Sequence, residues 1–140
     1  MDGITTKIAR RKLLLAVKTA VLDTGELNLY QNDYTPNSET VLADMTVADF
    51  SGYGAAAIAD WNDPATEPDG RAVVTSTMCV FASTGPTIQN TIFGWWLTDT
   101  DGLLVGAGRF DNPISMADLG DQMLAVVEYY SDGSLTIELV

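Results

Sequence analysis

The 140-residue chain predicts a mainly β fold, an antiparallel β-sandwich or partly closed barrel preceded by one α-helix. Three observations carry this. Short segments after residue 25 alternate apolar and polar residues with a period of two. Gly, Pro, Asn and Asp clusters separate those segments at regular intervals, which suits seven or so short strands. The first 25 residues lack this alternation and read as a helix. The length fits one self-sufficient core. The chemical organisation divides into a basic N-terminal helix or arm, residues 1–25, and an acidic antiparallel β-sandwich, residues 26–140.

Thr5 or Thr6 can cap a helix running to about Leu22, where Gly25 permits the stop. On the helical wheel Lys7, Arg10, Arg11 and Lys18 share about one third of the circumference. Ile4, Ile8, Leu13, Leu14, Leu15, Val17 and Val21 form no single stripe and surround most of the helix. A helix apolar nearly all round is buried or sandwiched, here either against another subunit or on its own sheet. Glu26–Tyr30 then reads as a strand with Leu27 and Leu29 on one face, and Gln31–Thr40 as a loop. Thr46-Val47-Ala48-Asp49 has the spacing of a capped helical turn.

Gly52–Trp61 reads as a strand and Asn62–Gly70 as a loop. Arg71–Ala82 and Thr87–Thr98 alternate, and Gly85-Pro86 between them suggests an antiparallel connection. Asp101-Gly102, between Trp95-Trp96-Leu97 and Leu103-Leu104-Val105, is the strongest hairpin signal. Asn112-Pro113 is expected to stop the next strand, and Ser115–Asp118 repeats the helical-turn spacing. Gln122–Tyr130 and Ser134–Val140 form a last hairpin through Asp132-Gly133, with Leu135, Ile137 and Leu139 on one face.

The formal charge is −12, unevenly placed. Residues 1–18 hold five of the seven basic residues and one acid, a net +4, whereas residues 19–140 hold two bases and eighteen acids, a net −16. The acidic body argues against nucleic acid and anionic lipid as partners. The basic segment can meet an acidic partner or pair with its own body. Leu13–Val17 is too short for a signal-peptide core and no stretch could span a membrane, so the expectation is a soluble protein with its N-terminus retained.

The chain has no histidine and one cysteine, Cys79, which excludes a His-dependent triad, a Cys/His zinc site and a disulfide framework. Asp99-Thr100-Asp101-Gly102 resembles the start of a calcium loop, but its twelfth position is Phe110, where a glutamate is needed. Gly102, Gly106 and Gly108 lie in a strand pattern without the following helix of a phosphate loop. Cys79 reads as core volume. No catalytic, metal or cofactor site is expected. Trp61, Trp95 and Trp96 remain, and as strand neighbours Trp95 and Trp96 must point to opposite faces. One of them therefore sits at the surface, in an interface or under a loop, or else both sheet faces are covered, one by the N-terminal helix; an exposed ring could anchor a protein or sugar contact.

One ordered series of motifs is familiar: Leu27-Asn28-Leu29-Tyr30-Gln31-Asn32-Asp33-Tyr34-Thr35-Pro36, Phe50-Ser51-Gly52-Tyr53, Gly94-Trp95-Trp96-Leu97-Thr98-Asp99, Arg109-Phe110-Asp111-Asn112-Pro113 and Gly120-Asp121. Over most of residues 26–122 it resembles a set of small virion proteins of tailed bacteriophages. The basic helix departs from that pattern. The resemblance implies a non-enzymatic protein, made in the host cytoplasm and carried on the virion. A capsid decoration or cement protein would bind the major capsid protein lattice at the capsid surface and stabilise the head, as a homo-oligomer. The alternative is a tail- or fibre-associated protein touching a host receptor or glycan. The contact residues expected on either reading are Lys7, Arg10, Arg11, Leu14, Lys18, Trp95 and Trp96.

Overall fold

The computed structural model describes residues 6–140. In chain order its elements are α1 (Lys7–Val17), β1 (Glu26–Tyr30), β2 (Ala56–Ala57), β3 (Ala65–Thr66), β4 (Ala72–Thr75), β5 (Cys79–Ala82), β6 (Asn90–Thr98), β7 (Leu104–Met116), β8 (Gln122–Tyr130) and β9 (Leu135–Leu139). The strands form two antiparallel sheets. One is ordered β2-β1-β6-β7; in the other, β3, β4 and β5 lie to one side of β8 and β9 to the other. This is a sandwich, with neither sheet closed into a barrel. Leu27, Leu29, Trp95 and Leu97 from the first sheet meet Val74, Phe81, Ala125 and Val127 from the second in one core.

The helix belongs to that core. Thr6 caps α1 by accepting a hydrogen bond from Ala9 N at 3.2 Å; Thr5 and Ile4 lie outside the described residues. After Val17 the chain widens into a π-helical turn, Lys18–Leu22, and the Leu22 carbonyl accepts from Trp61 Nε1 at 3.0 Å. Leu14 and Leu22 are buried with the inter-sheet residues. The helix therefore packs on its own body, the second of the two placements open to it.

Local signals fixed several elements as expected. β1 spans Glu26–Tyr30, and its Leu27 and Leu29 both face the core. Both Asp-Gly hairpins form, with Gly102 at φ 82° and Gly133 at φ 86°, a left-handed conformation that costs glycine nothing.

Other expectations are corrected by long-range pairing. Arg71–Ala82 is not one strand: β4 and β5 follow one another along the same edge of β8, separated at residues 76–78. Ser76 bridges the break, its N–H donating to the Val127 carbonyl and its hydroxyl accepting from Val127 N, both at 2.9 Å. Gly85-Pro86 is not a hairpin turn, because β5 and β6 lie in different sheets and the segment crosses between them. Asn112-Pro113 does not end its strand. It falls in a bulge where residues 110–113 of β7 oppose only Phe93, and pairing resumes at Ile114. β7 is an edge strand, where the missing proline N–H costs no ladder bond.

The turn expected at Thr46–Asp49 is extended. Ala48 N donates to Leu29 O and Gln31 N to Thr46 O, so β1's free edge captures the segment. The single-turn helix forms earlier, at Leu42–Asp44, where the Asp44 carboxylate accepts from Val41 N at 2.9 Å. Gly52–Trp61 contributes only β2 and a bridge from Trp61 to Ser76, while Ser115 and Met116 finish β7 in place of a helical turn.

Candidate interaction surface

Trp95 and Trp96 point to opposite faces, and both are covered. Trp95 is 3% exposed in the inter-sheet core, where its ring fills the space above Gly108, directly opposite it on β7. Trp96 is 7% exposed on the outer face, packed with Tyr30 and Met45. Its cover is a loop, the strap of residues 31–48, which is one of the expected placements, and not the N-terminal helix. Neither ring is available as a surface anchor, which removes both from the contact residues. Leu14, 1% exposed, leaves that set for the same reason.

The strap is pinned by polar contacts that period and propensity do not reveal. Arg109 Nη1 donates to Asp33 Oδ1 at 2.5 Å, and its guanidinium lies 5.4 Å from the Phe93 ring centre. Tyr30 donates to the Tyr34 carbonyl at 2.8 Å, and burial raises the Tyr30 phenol above its ordinary pKa. Asn90 Oδ1 accepts from Asp49 N at 2.7 Å and Phe50 N at 2.8 Å, while Nδ2 donates to Asp49 Oδ1 at 2.9 Å. Tyr53 donates to Asn28 Oδ1 at 2.7 Å, and burial raises this phenol too. The residues carrying the virion-protein resemblance largely converge here, where they build the scaffold.

The helix presents a different surface. Two members of its cationic sector engage the body: Arg10 Nη1 donates to the Gly70 carbonyl at 2.9 Å, and Lys18 Nζ lies 3.4 Å from Asp63 Oδ1. Lys7 reaches toward Gly70 on the same side. Arg10 and Lys18 thus partly neutralise their own acidic body, although Asp63, with its side chain 92% exposed, leaves the pair with Lys18 screened by solvent and worth little stability. Among the described residues Lys7, Arg11 and Lys12 are exposed and have no ion-pair partner.

Much of what faces solvent beside these cations is apolar. Ile8 is 68%, Leu13 62% and Leu15 43% exposed, and Ala16 and Ala20 are exposed with them. Ile8 and Leu15 edge a hollow of about 340 Å³ whose other walls are Arg11, Lys12, Asp63 and Pro64. The encircling apolar pattern of the helix therefore has two halves, one packed on the sandwich and one uncovered. The encircling pattern was legible in the wheel, but which half the body would take was not.

Cys79 is buried in β5, where desolvation raises its thiol pKa, and it serves as core volume. No helix among the described residues is long and apolar enough to cross a membrane. Comparison with known proteins returns no match among protein-family models, curated proteins or solved structures.

Proposed function

We propose that this chain is a non-enzymatic structural protein of a tailed-bacteriophage virion, a capsid decoration protein that binds the major capsid protein lattice and stabilises the head. The observation that carries the reading is the outer side of α1, where apolar side chains stand exposed beside cations that have no ion-pair partner among the described residues. Single exposed apolar residues are ordinary, but a stripe of them along one helix marks a protein contact. Lys7, Arg11 and Lys12 at its margins favour an acidic partner surface. Many small contacts of this kind, repeated over a lattice, brace a shell through avidity. The tail-associated alternative would use the tryptophans together with loops 31–40 and 62–70, and the burial of both Trp95 and Trp96 removes the aromatic part of that surface.

The test is copy number in purified particles, together with binding of the purified protein to empty shells of the major capsid protein. The reading expects on the order of hundreds of copies per particle. It also expects Ile8→Asp/Arg11→Glu to abolish shell binding while the fold is retained. A handful of copies, or full binding by the double variant, would overturn it.

A further inference from the structure

We infer that the free edge of β9 takes an extended segment of a partner protein as an added strand, and that this segment alternates apolar and basic residues. The inference is independent of the α1 surface.

The backbone of β9 is half used. Tyr130 N donates to Ser134 O and Val140 N to Leu124 O, each at 2.9 Å. Bonded and non-bonded pairs alternate along an antiparallel ladder, so Thr136 and Glu138 also bond β8. Leu135, Ile137 and Leu139 therefore aim N–H and C=O away from β8, and among the described residues no strand pairs with that side. The other outer strands are blunted. β2 and β3 have two residues each, and β7 carries the bulge and Pro113. β9 keeps five residues in unbroken register and has no proline. Donors and acceptors that recur at every second residue match an extended backbone.

The flanking surface sets the side-chain pattern. At one end of this side the two sheets touch, where a Cβ on Gly106 would sit 2.6 Å from Leu135 Cδ2. Toward the other end they part around a cleft of about 410 Å³, between Phe110, Pro113 and Ile114 of β7 and Ile137 and Leu139 of β9. Residues of an added strand opposite Ile137 and Leu139 share their face and enter this cleft, which calls for apolar side chains. The residue between them falls on the outer face opposite Glu138, the one charged residue of β9, which calls for a cation. Asp111 at the cleft and the net −16 of residues 19–140 favour the same sign. A second copy of β9 fits poorly, because it offers Glu138 no cation and brings together two chains of charge −12.

The experiment uses the full chain and a capped peptide, Thr-Val-Lys-Val-Lys-Val-Thr, with a control in which Glu replaces both Lys. Titration is followed by NMR, with amide hydrogen exchange to locate the contact. The lysine peptide is expected to protect the N–H groups of Ile137 and Leu139 and to bind more than about tenfold tighter than the control. Leu139→Pro removes one free N–H without costing a bond to β8, so it should fold and weaken the lysine peptide more than about tenfold. Glu138→Lys, at an exposed position, should reverse the preference in favour of the glutamate peptide. Ile8→Asp/Arg11→Glu should bind the lysine peptide as wild type does.

No binding of the lysine peptide at about 1 mM overturns the proposal. So does protection confined to other parts of the acidic body, or a Leu139→Pro chain that binds as tightly as wild type. A Glu138→Lys chain that still prefers the lysine peptide overturns the charge pattern. Protection of the same amides without peptide, rising with chain concentration, would put a second copy at β9 and overturn the choice of occupant. Loss of peptide binding in Ile8→Asp/Arg11→Glu would move the site to α1, whereas failure of shell binding alone leaves this inference standing and sinks the decoration reading.

Discussion

Asn90→Ala should loosen the strap at a cost that can be worked from its contacts. The Asn90 side chain is nearly buried, and its oxygen is the acceptor for both Asp49 N and Phe50 N. Alanine leaves both N–H groups without that partner, and an unsatisfied buried donor costs about 1–3 kcal/mol. Phe50 N is buried and falls mid-range at about 2, while Asp49 N is partly buried and falls at about 1, so the expected loss is about 3 kcal/mol. Unfolding entropy for 140 residues is roughly 0.3 kcal/mol per kelvin, so Tm should drop by about 10 °C. Asn90→Asp sharpens the test. It keeps the acceptor for both N–H groups but puts a carboxylate where Nδ2 donates to Asp49 Oδ1 and the Gln89 carbonyl. One oxygen keeps its two N–H donors, but the other is set against the Asp49 carboxylate and the Gln89 carbonyl, so the variant should be destabilised at neutral pH and recover as pH falls and the acid becomes a donor to them. Chemical denaturation from about pH 7 to pH 4 measures both variants. An Asn90→Ala loss below about 1 kcal/mol, or an Asn90→Asp deficit that widens on acidification, would refute the argument.

Three further outcomes are expected. Gly108→Ala places a methyl 2.7 Å from the Trp95 ring and should cost about 1–3 kcal/mol with altered tryptophan fluorescence, whereas Gly54→Ala, with open space around it, should be neutral or slightly stabilising. Trp96→Ala should cost about 3–5 kcal/mol and open the strap to limited proteolysis between residues 33 and 46, while cleavage elsewhere stays unchanged. Asp121 accepts backbone hydrogen bonds from Asp118 and Ala117, which hold its carboxyl below the ordinary range. Its contribution is therefore complete above about pH 4 and lost as pH falls through the lower folded value, so the stability gap between wild type and Asp121→Asn should be present at pH 7 and vanish at strong acid.

How much of this was legible in the sequence follows from how local each signal is. Leu27 and Leu29 in β1, and the Asp-Gly turns with Gly102 and Gly133 left-handed, depend on residues within two or three positions of one another. Pro113 gave a true local warning with a different outcome, since an edge strand can bulge around it and continue. The Thr46–Asp49 turn failed because β1's open edge offered that backbone better partners than a helical turn would. Asn90 gave no signal at all. Its partners Asp49 and Phe50 lie some forty residues away, and a lone asparagine at the start of a strand resembles any other.

By itself the sequence determined a mainly β chain with a basic, encircling-apolar helix and an acidic body, because period, turn chemistry and charge are written residue by residue. Only the tertiary structure decided which strands pair, which sheet face each tryptophan enters, and which side of the helix the body takes. These are competitions between distant segments for the same backbone edges and the same apolar surface. That competition turned Arg10 toward Gly70 and Lys18 toward Asp63, and left Ile8, Leu13 and Leu15 uncovered.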